Sequence, residues 1–167
     1  MKKYELLQED TVTTPSGKTL YRIKALVAIG LLVSPGDLGG YIENTKNLDM
    51  SGDAWVSGDA RVYGDARVYG DAWVYGDARV YGDARVSGDA RVEEKNDIQW
   101  FSNVGFEYGT LTVCKAKKGL FVSRGCFAGT LDEFKAAVSE KHGTNKYGRH
   151  YQALIDAIEI WFSDGKD

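Results

Sequence analysis

Between residues 50 and 92 apolar and polar positions alternate on a strict six-residue beat. Each unit reads Val-Tyr/Ser-Gly-Asp-Ala-Arg/Trp, as in Val62-Tyr63-Gly64-Asp65-Ala66-Arg67. Ala and Val stand two apart and share one face, while Arg or Trp and then Tyr take the other, the alternation of a short strand. Gly-Asp then turns the chain, because Gly accepts positive φ and an Asp carboxylate can bond nearby backbone N–H groups. Gly-Asp-Ala occurs seven times, with Asp53, Asp59, Asp65, Asp71, Asp77, Asp83 and Asp89 marking the interval. Val56, Val62, Val68, Val74, Val80 and Val86 are the expected interior. Ala and Val are too small to fill a globular core, so these units must stack on copies of themselves. The repeat holds two Trp residues, Trp55 and Trp73, eighteen positions apart, and Arg91 is next in that series. Three units per turn is the spacing this predicts.

Running the frame backwards gives weaker units at 50–55, at 44–49 with Leu48 inward, and at 38–43 with Ile42 inward. Residues 38–92 then form about three turns, a stack roughly 14 Å tall at about 4.8 Å per strand. Such a short stack needs a cap at each end. Residues 1–37 read as an N-terminal β cap: Tyr4-Glu5-Leu6-Leu7, Thr11-Val12-Thr13, a Pro15-Ser16-Gly17 turn, and alternation from Thr19 to Ala25 predict a hairpin. Residues 93–97, Glu-Glu-Lys-Asn-Asp, read as a polar linker. In 98–167, strands are predicted near Ile98-Gln99-Trp100-Phe101, Gly109 to Val113 and Leu120 to Ser123. Thr130 and Glu133 have capping-box spacing ahead of a helix with Phe134, Ala137 and Val138 on one face and Gly143 as its stop. A second helix runs from about Tyr147 to Phe162, with Tyr147, Tyr151, Leu154, Ile158 and Trp161 at helical spacing. The fold class is therefore mainly β: a parallel repeat with an N-terminal β cap and a small C-terminal α+β domain.

Charge narrows the function classes. The chain has 21 basic and 24 acidic residues, a net of −3, and both signs are spread over all segments. No segment has the basic footprint of a phosphate-neutralising surface, so direct nucleic-acid binding is not expected. The longest apolar run, residues 25–33, is too short to span a bilayer. Two cysteines, Cys114 and Cys126, make no disulfide framework, which points to a reducing, cytoplasmic setting.

Ser34-Pro35-Gly36-Asp37-Leu38-Gly39-Gly40-Tyr41-Ile42-Glu43, then Asn47-Leu48, then tandem units opening at Ala54-Trp55-Val56, resembles proteins encoded in bacteriophages and prophages. Gly125-Cys126-Phe127-Ala128-Gly129-Thr130-Leu131-Asp132-Glu133-Phe134, followed by His142-Gly143 and Tyr151, is similar to the tail domain of the same group. The unit itself resembles the hexapeptide repeat of left-handed parallel β-helices, in which three hexads make one triangular coil. The resemblance implies phage origin and a short left-handed β-helix, and supplies no catalytic residue.

Several constellations can carry chemistry. Acyltransferases on hexapeptide β-helices use a His between coils, and residues 38–92 contain none. A γ-type carbonic anhydrase needs three His ligands, and the chain has His142 and His150 alone. The stacked Asp corners could offer oxygens to Ca²⁺, but each is better read as bonding its own turn, and no metal or cofactor is expected. Cys126 reads as a small hydrophobe rather than a nucleophile. Trp55, Trp73 and Tyr75 share one outer face, and such a stripe predicts a homo-oligomer, a dimer or trimer. Arg124-Gly125-Cys126-Phe127-Ala128-Gly129-Thr130 reads as a glycine-containing loop entering a helix N-terminus. With His142, Lys146, Arg149 and Tyr151 nearby, it is the candidate site for an anion. The tight-turn reading of that loop stands beside the anion-binding one.

The leading expectation is a non-catalytic, phage-derived binding protein in the bacterial cytoplasm. It would counter host immunity by sequestering a small nucleotide-like anion or a host defence protein. The alternatives are an oligomerising scaffold built on the β-helix and, with its His missing, an acyltransferase-like enzyme.

Overall fold

The computed structural model describes residues 1–163. Each repeat unit contributes a two-residue strand at its Arg-Val or Trp-Val step: β4 (Trp55–Val56), β5 (Arg61–Val62), β6 (Arg67–Val68), β7 (Trp73–Val74), β8 (Arg79–Val80), β9 (Arg85–Val86) and β10 (Arg91–Val92). Pairing is parallel with the residue eighteen positions on: Trp55 with Trp73, Trp73 with Arg91, Arg61 with Arg79, and Arg67 with Arg85. Every Ala and Val of the units from Ala54 to Val92 is buried. The corner glycines Gly52 to Gly88 hold φ between 60° and 67°, the left-handed region that closes each turn without a Cβ penalty. The strands are short because the corner takes up the rest of each unit.

The N-terminal cap is continuous with this stack. β1 (Tyr4–Thr13) and β2 (Thr19–Ala25) form the expected hairpin, and β3 (Leu38–Ile42) pairs antiparallel with β2 and parallel with β5. One mixed sheet of order β1-β2-β3-β5-β8 results.

The backward frame needs correction here. Ile42 lies beside Val62 and Leu48 beside Val68, each twenty residues apart rather than eighteen. Gly52 already sits over Gly70, since a Cβ built on it would lie 2.7 Å from the Gly70 carbonyl oxygen. The two extra residues are therefore Met50 and Ser51. The Lys3 ammonium stabilises the bulge, donating to the carbonyls of Ala54 (2.8 Å), Gly52 (3.3 Å) and Ser51 (3.4 Å). Burial lowers the Lys3 pKa, against the opposing pull of Asp49 and Asp53.

Unpaired backbone at the open edge is matched by side chains. Asn47 Nδ2 donates to the carbonyls of Gly64 (3.1 Å) and Ala66 (2.9 Å), and the Glu43 carboxylate accepts from Gly64 N–H at 2.7 Å. These bonds satisfy groups that the next strand would otherwise take.

Residues 93–97 are built rather than loose. A 3-10 turn at Lys95–Asp97 aims the Asp97 carboxylate back at the N–H groups of Glu93 (3.0 Å) and Glu94 (2.9 Å), and Lys115 pairs with it at 2.8 Å. Beyond it, β11 (Ile98–Val104), β12 (Gly109–Lys115), β13 (Leu120–Arg124) and β14 (Phe127–Thr130) form an antiparallel sheet in chain order. This sheet closes the far end of the repeat. Ala116 bridges Ala90, Lys117 N–H donates to Asp89 O (3.2 Å), and Arg85 N–H donates to Thr112 Oγ1 (3.0 Å). β12 alternates accordingly: Cys114 joins the repeat's core, while Leu111 and Val113 join a second core under the helices. Helices α1 (Leu131–His142) and α2 (Lys146–Trp161) supply Phe134, Val138, Tyr151, Ile155 and Ile158 to that second core. Among the described residues no helix is long and apolar enough to cross a membrane.

Candidate functional site

The expected anion site forms only in part. Residues 125–130 are not an open loop: β13 and β14 make a tight hairpin, with Arg124 opposite Phe127 and Gly125 (φ +57°) turning the chain. The helix N-terminus behind it is already satisfied. Thr130 Oγ1 accepts from Glu133 N–H, and the Glu133 carboxylate accepts from Thr130 N–H, the capping box read from the sequence. Gly129 is covered by that carboxylate, which a Cβ there would meet.

A cleft of about 200 Å³ does lie beside the hairpin. Arg124, Gly125, Cys126, Phe127, His142 and Tyr151 line it, together with Phe106, Glu107, Phe134 and Lys141. Gly129, Thr130, Lys146 and Arg149 do not, and Lys146 and Arg149 are exposed on the first turns of α2. Arg124 is largely committed within the fold. Its Nε donates to Tyr151 Oη (2.9 Å), Nη2 donates to Val104 O (3.1 Å), and Glu107 lies 3.7 Å from Nη1. Only 11% of that side chain is exposed, so it works chiefly as a tie between β13, the β11–β12 turn and α2. His142 stacks on Tyr151 at 5.7 Å. The volume also falls below the roughly 300–1,000 Å³ of usual ligand pockets.

A larger groove runs along the seam between repeat and C-terminal sheet. It measures about 480 Å³ and is lined by Tyr63, Arg79, Tyr81, Lys95, Gln99, Trp100 and Trp161, among others. The rings are ordered by the repeat itself. Tyr63 and Tyr81, eighteen apart, stack at 5.2 Å and 10°, and Trp100 of β11 meets Tyr81 edge-on at 4.8 Å. Trp161 is fixed at the end of α2 because its Nε1 donates to Asn96 O at 3.0 Å. Two cations border these rings. Arg79 Nη1 is pinned by the carbonyls of Asp77 (2.7 Å) and Asp59 (3.3 Å), and Lys95 projects from the 3-10 turn. Among the described residues no carboxylate lines this groove. Of these groups Tyr63, Tyr81 and Arg79 belong to the repeat, whose eighteen-residue spacing sets Tyr63 on Tyr81 and Arg61 on Arg79. Trp100, Trp161 and Lys95 come from elements whose placement no local pattern announces.

The outer stripe expected of Trp55, Trp73 and Tyr75 is shorter than the sequence suggests. Trp55 is 1% exposed, packed edge-to-face on Tyr4 at 6.4 Å beneath the N-terminal hairpin. It is a core residue, because β1–β3 cover the row of the stack to which it belongs. Trp73 and Tyr75 are half-buried and remain on the outer surface.

Among the described residues no cluster of three or more His, Cys, Asp or Glu side chains has a geometry suited to a metal. Cys114 is fully buried, and burial pushes its thiol pKa far up, leaving a side chain that packs rather than reacts. Cys126 is exposed.

Three overlapping stretches of the chain, residues 60–76, 72–86 and 78–94, match the model of the YdcK beta solenoid repeat. None of the curated proteins compared with the chain matches it. The repeat is thus similar to that of a β-solenoid family, in agreement with the parallel strands and eighteen-residue pairing described above.

Proposed function

We propose that this chain is a non-catalytic binding protein that holds a planar, anionic small molecule of nucleotide type in the aromatic groove at the seam. The observation that carries the reading is the meeting of stacked rings with two cations and no acid among the described lining residues. Ring stacking contributes about 1–3 kcal/mol per base and tolerates any base. A pinned guanidinium and the exposed Lys95 ammonium suit the phosphate beside it. On this reading the repeat is a left-handed β-helix of three coils, a rigid mount for the groove. The phage resemblance supports a role in countering bacterial immunity by sequestering such a signal.

Isothermal titration calorimetry with AMP, with cyclic mononucleotides and with ribose 5-phosphate tests the proposal. The nucleotides are expected to bind and be recovered unchanged by mass spectrometry, and ribose 5-phosphate is expected to bind far more weakly. Trp161→Leu should weaken nucleotide binding about ten- to a hundredfold, the equivalent of one lost stack. No heat with any nucleotide would sink the reading, and conversion of the ligand would replace it with an enzymatic one.

A further inference from the structure

Arg79, Arg85 and Arg91 share one anchoring scheme. Each donates through Nη1 to a carbonyl on the rung below, at Asp59 (3.3 Å), Asp65 (2.7 Å) and Asp71 (2.9 Å) respectively. Asp59 stands two residues before Arg61, the strand partner of Arg79. Arg61 in turn pairs with Tyr41 of β3, so the same scheme gives it Gly39 O as acceptor. Arg22 Nη1 already donates there at 2.9 Å. The half-buried Arg61 side chain is left with a buried Nε and no hydrogen-bond or ion-pair partner among the described residues. Arg67 has none either, but it is exposed to water.

Two guanidinium groups thus lie on adjacent rungs, about 4.8 Å apart at the backbone, and repel each other. The acids on this face are committed elsewhere. Glu43 is held by Lys18 (3.3 Å) and Gly64 N–H (2.7 Å), and Asp10 by Arg22 (2.8 Å) and Tyr41 Oη (3.2 Å). Among the described residues no carboxylate comes within ion-pair distance of Arg61 or Arg79. Arg79 uses Nη1 on carbonyls and keeps Nε and Nη2 free. Tyr63 follows Arg61 on the same outer face, and its hydroxyl makes no hydrogen bond among the described residues. Burial raises its pKa and Tyr81 adds to the rise, while the charges of Arg79, Arg61 and Lys18 pull the other way.

We propose that Arg61 and Arg79 form the phosphate subsite of the aromatic groove and select a phosphomonoester. The assignment rests on the nucleotide reading and adds to it the end of the ligand that carries the charge. Arg79 and Tyr63 line the groove and Arg61 stands beside them on the rung below, so the phosphate sits at the β3 end. A terminal phosphate carries about 1.5–2 negative charges and three acceptor oxygens at neutral pH. Two forked guanidinium groups match it in both charge and geometry. A cyclic phosphodiester has a single charge and leaves one arginine unbalanced.

Calorimetry with AMP, 3′,5′-cyclic AMP and adenosine on wild-type and substituted full-length chains provides the test. Wild type should bind AMP at least about tenfold more tightly than cyclic AMP, the equivalent of one further charge-assisted hydrogen bond. Arg61→Gln should weaken AMP about ten- to a hundredfold and abolish its advantage over cyclic AMP. Adenosine, which has no phosphate, should lose little. Arg61→Lys keeps the charge without the fork and should recover part of the loss. Arg67→Gln, at the same position on a neighbouring face, should leave all three ligands unaffected. AMP bound equally by wild type and Arg61→Gln, or an equal loss for all three ligands, would overturn the subsite and leave the nucleotide reading standing. No heat with any of the three would overturn both.

Discussion

Single side chains settle the ends of the stack, where the repeat cannot satisfy its own backbone. Asn47 is fully buried and answers two carbonyls at once, with its Oδ1 accepting from Asn44 N–H at 3.0 Å. Asn47→Ala strands these groups, and a loss of about 1–3 kcal/mol is expected from urea unfolding. At the opposite end, burial alone would raise the Asp97 carboxyl pKa. The Lys115 ammonium and the Glu94 and Glu93 N–H groups outweigh that and hold it below the usual carboxylate range. Asp83 is likewise depressed, with the hydroxyls of Ser102 (2.6 Å) and Thr110 (2.5 Å) overcoming its burial. A carboxyl whose folded pKa is depressed stabilises the fold above its unfolded pKa of 3.8, and that stability is lost as pH falls below it. Asp97→Asn should therefore lower the melting temperature at pH 7. The gap to wild type should narrow as pH falls below 3.8 and close once the Asp97 carboxyl is protonated in the folded state as well. A gap that stays constant with pH would assign Asp97 a purely packing role.

Elements show why some of this was legible and some was not. The inward Val and Ala rows follow from period alone, because nothing larger fits and nothing polar would be satisfied. Val68→Asp places an unpaired carboxylate among them and should cost several kcal/mol, read as a large drop in melting temperature. The register of the first turn was hidden, since Ser51-Gly52-Asp53-Ala54 carries the corner signature and makes the frame look unbroken across an insertion. β14 has no sequence signature, because four residues including Gly129 carry no alternation long enough to read. The capping box of α1, by contrast, is a local pattern and was visible. Trp161 shares helical spacing with Tyr151, Leu154 and Ile158, yet it is 48% exposed, while Ile155 is fully buried. Its indole instead leans outward to bond Asn96 O. The C-terminal sheet's hold on the repeat rests on close approach at Gly88, where an added Cβ would lie 2.4 Å from the Phe121 ring. Gly88→Ala should lower the melting temperature well beyond the roughly 1 kcal/mol that left-handed backbone alone costs an Ala. Gly125→Ala, with the same backbone and open space around it, supplies that baseline.

At the scale of the molecule, β12 faces two cores at once, so the repeat and the C-terminal segment are expected to unfold together. A single calorimetric transition checks this, and two resolved transitions would show the cores to be independent. A chain ending at Val92 leaves the last row of strands unpaired, and aggregation in place of a folded species is the expected result. The candidate site belongs to this scale too. Its rings come from positions 63, 81, 100 and 161, which meet only once the repeat and the C-terminal segment are in place, and no local reading of the sequence gathers them.

The two residues inserted at Met50 and Ser51 have a consequence for how such a chain can change length. Seven near-identical units offer no internal landmark, and a stack of them can slip or recombine out of step without disturbing any one contact. Lys3, which bonds the inserted Ser51 carbonyl together with those of Gly52 and Ala54, names one unit as the first. From that fixed origin, a gain or loss of eighteen residues returns every later side chain to the face it left. A gain of six moves the C-terminal sheet round to a different face, away from the tyrosines that complete its groove. On this geometry whole turns can be added or removed without changing the angle between the two ends, and single units cannot.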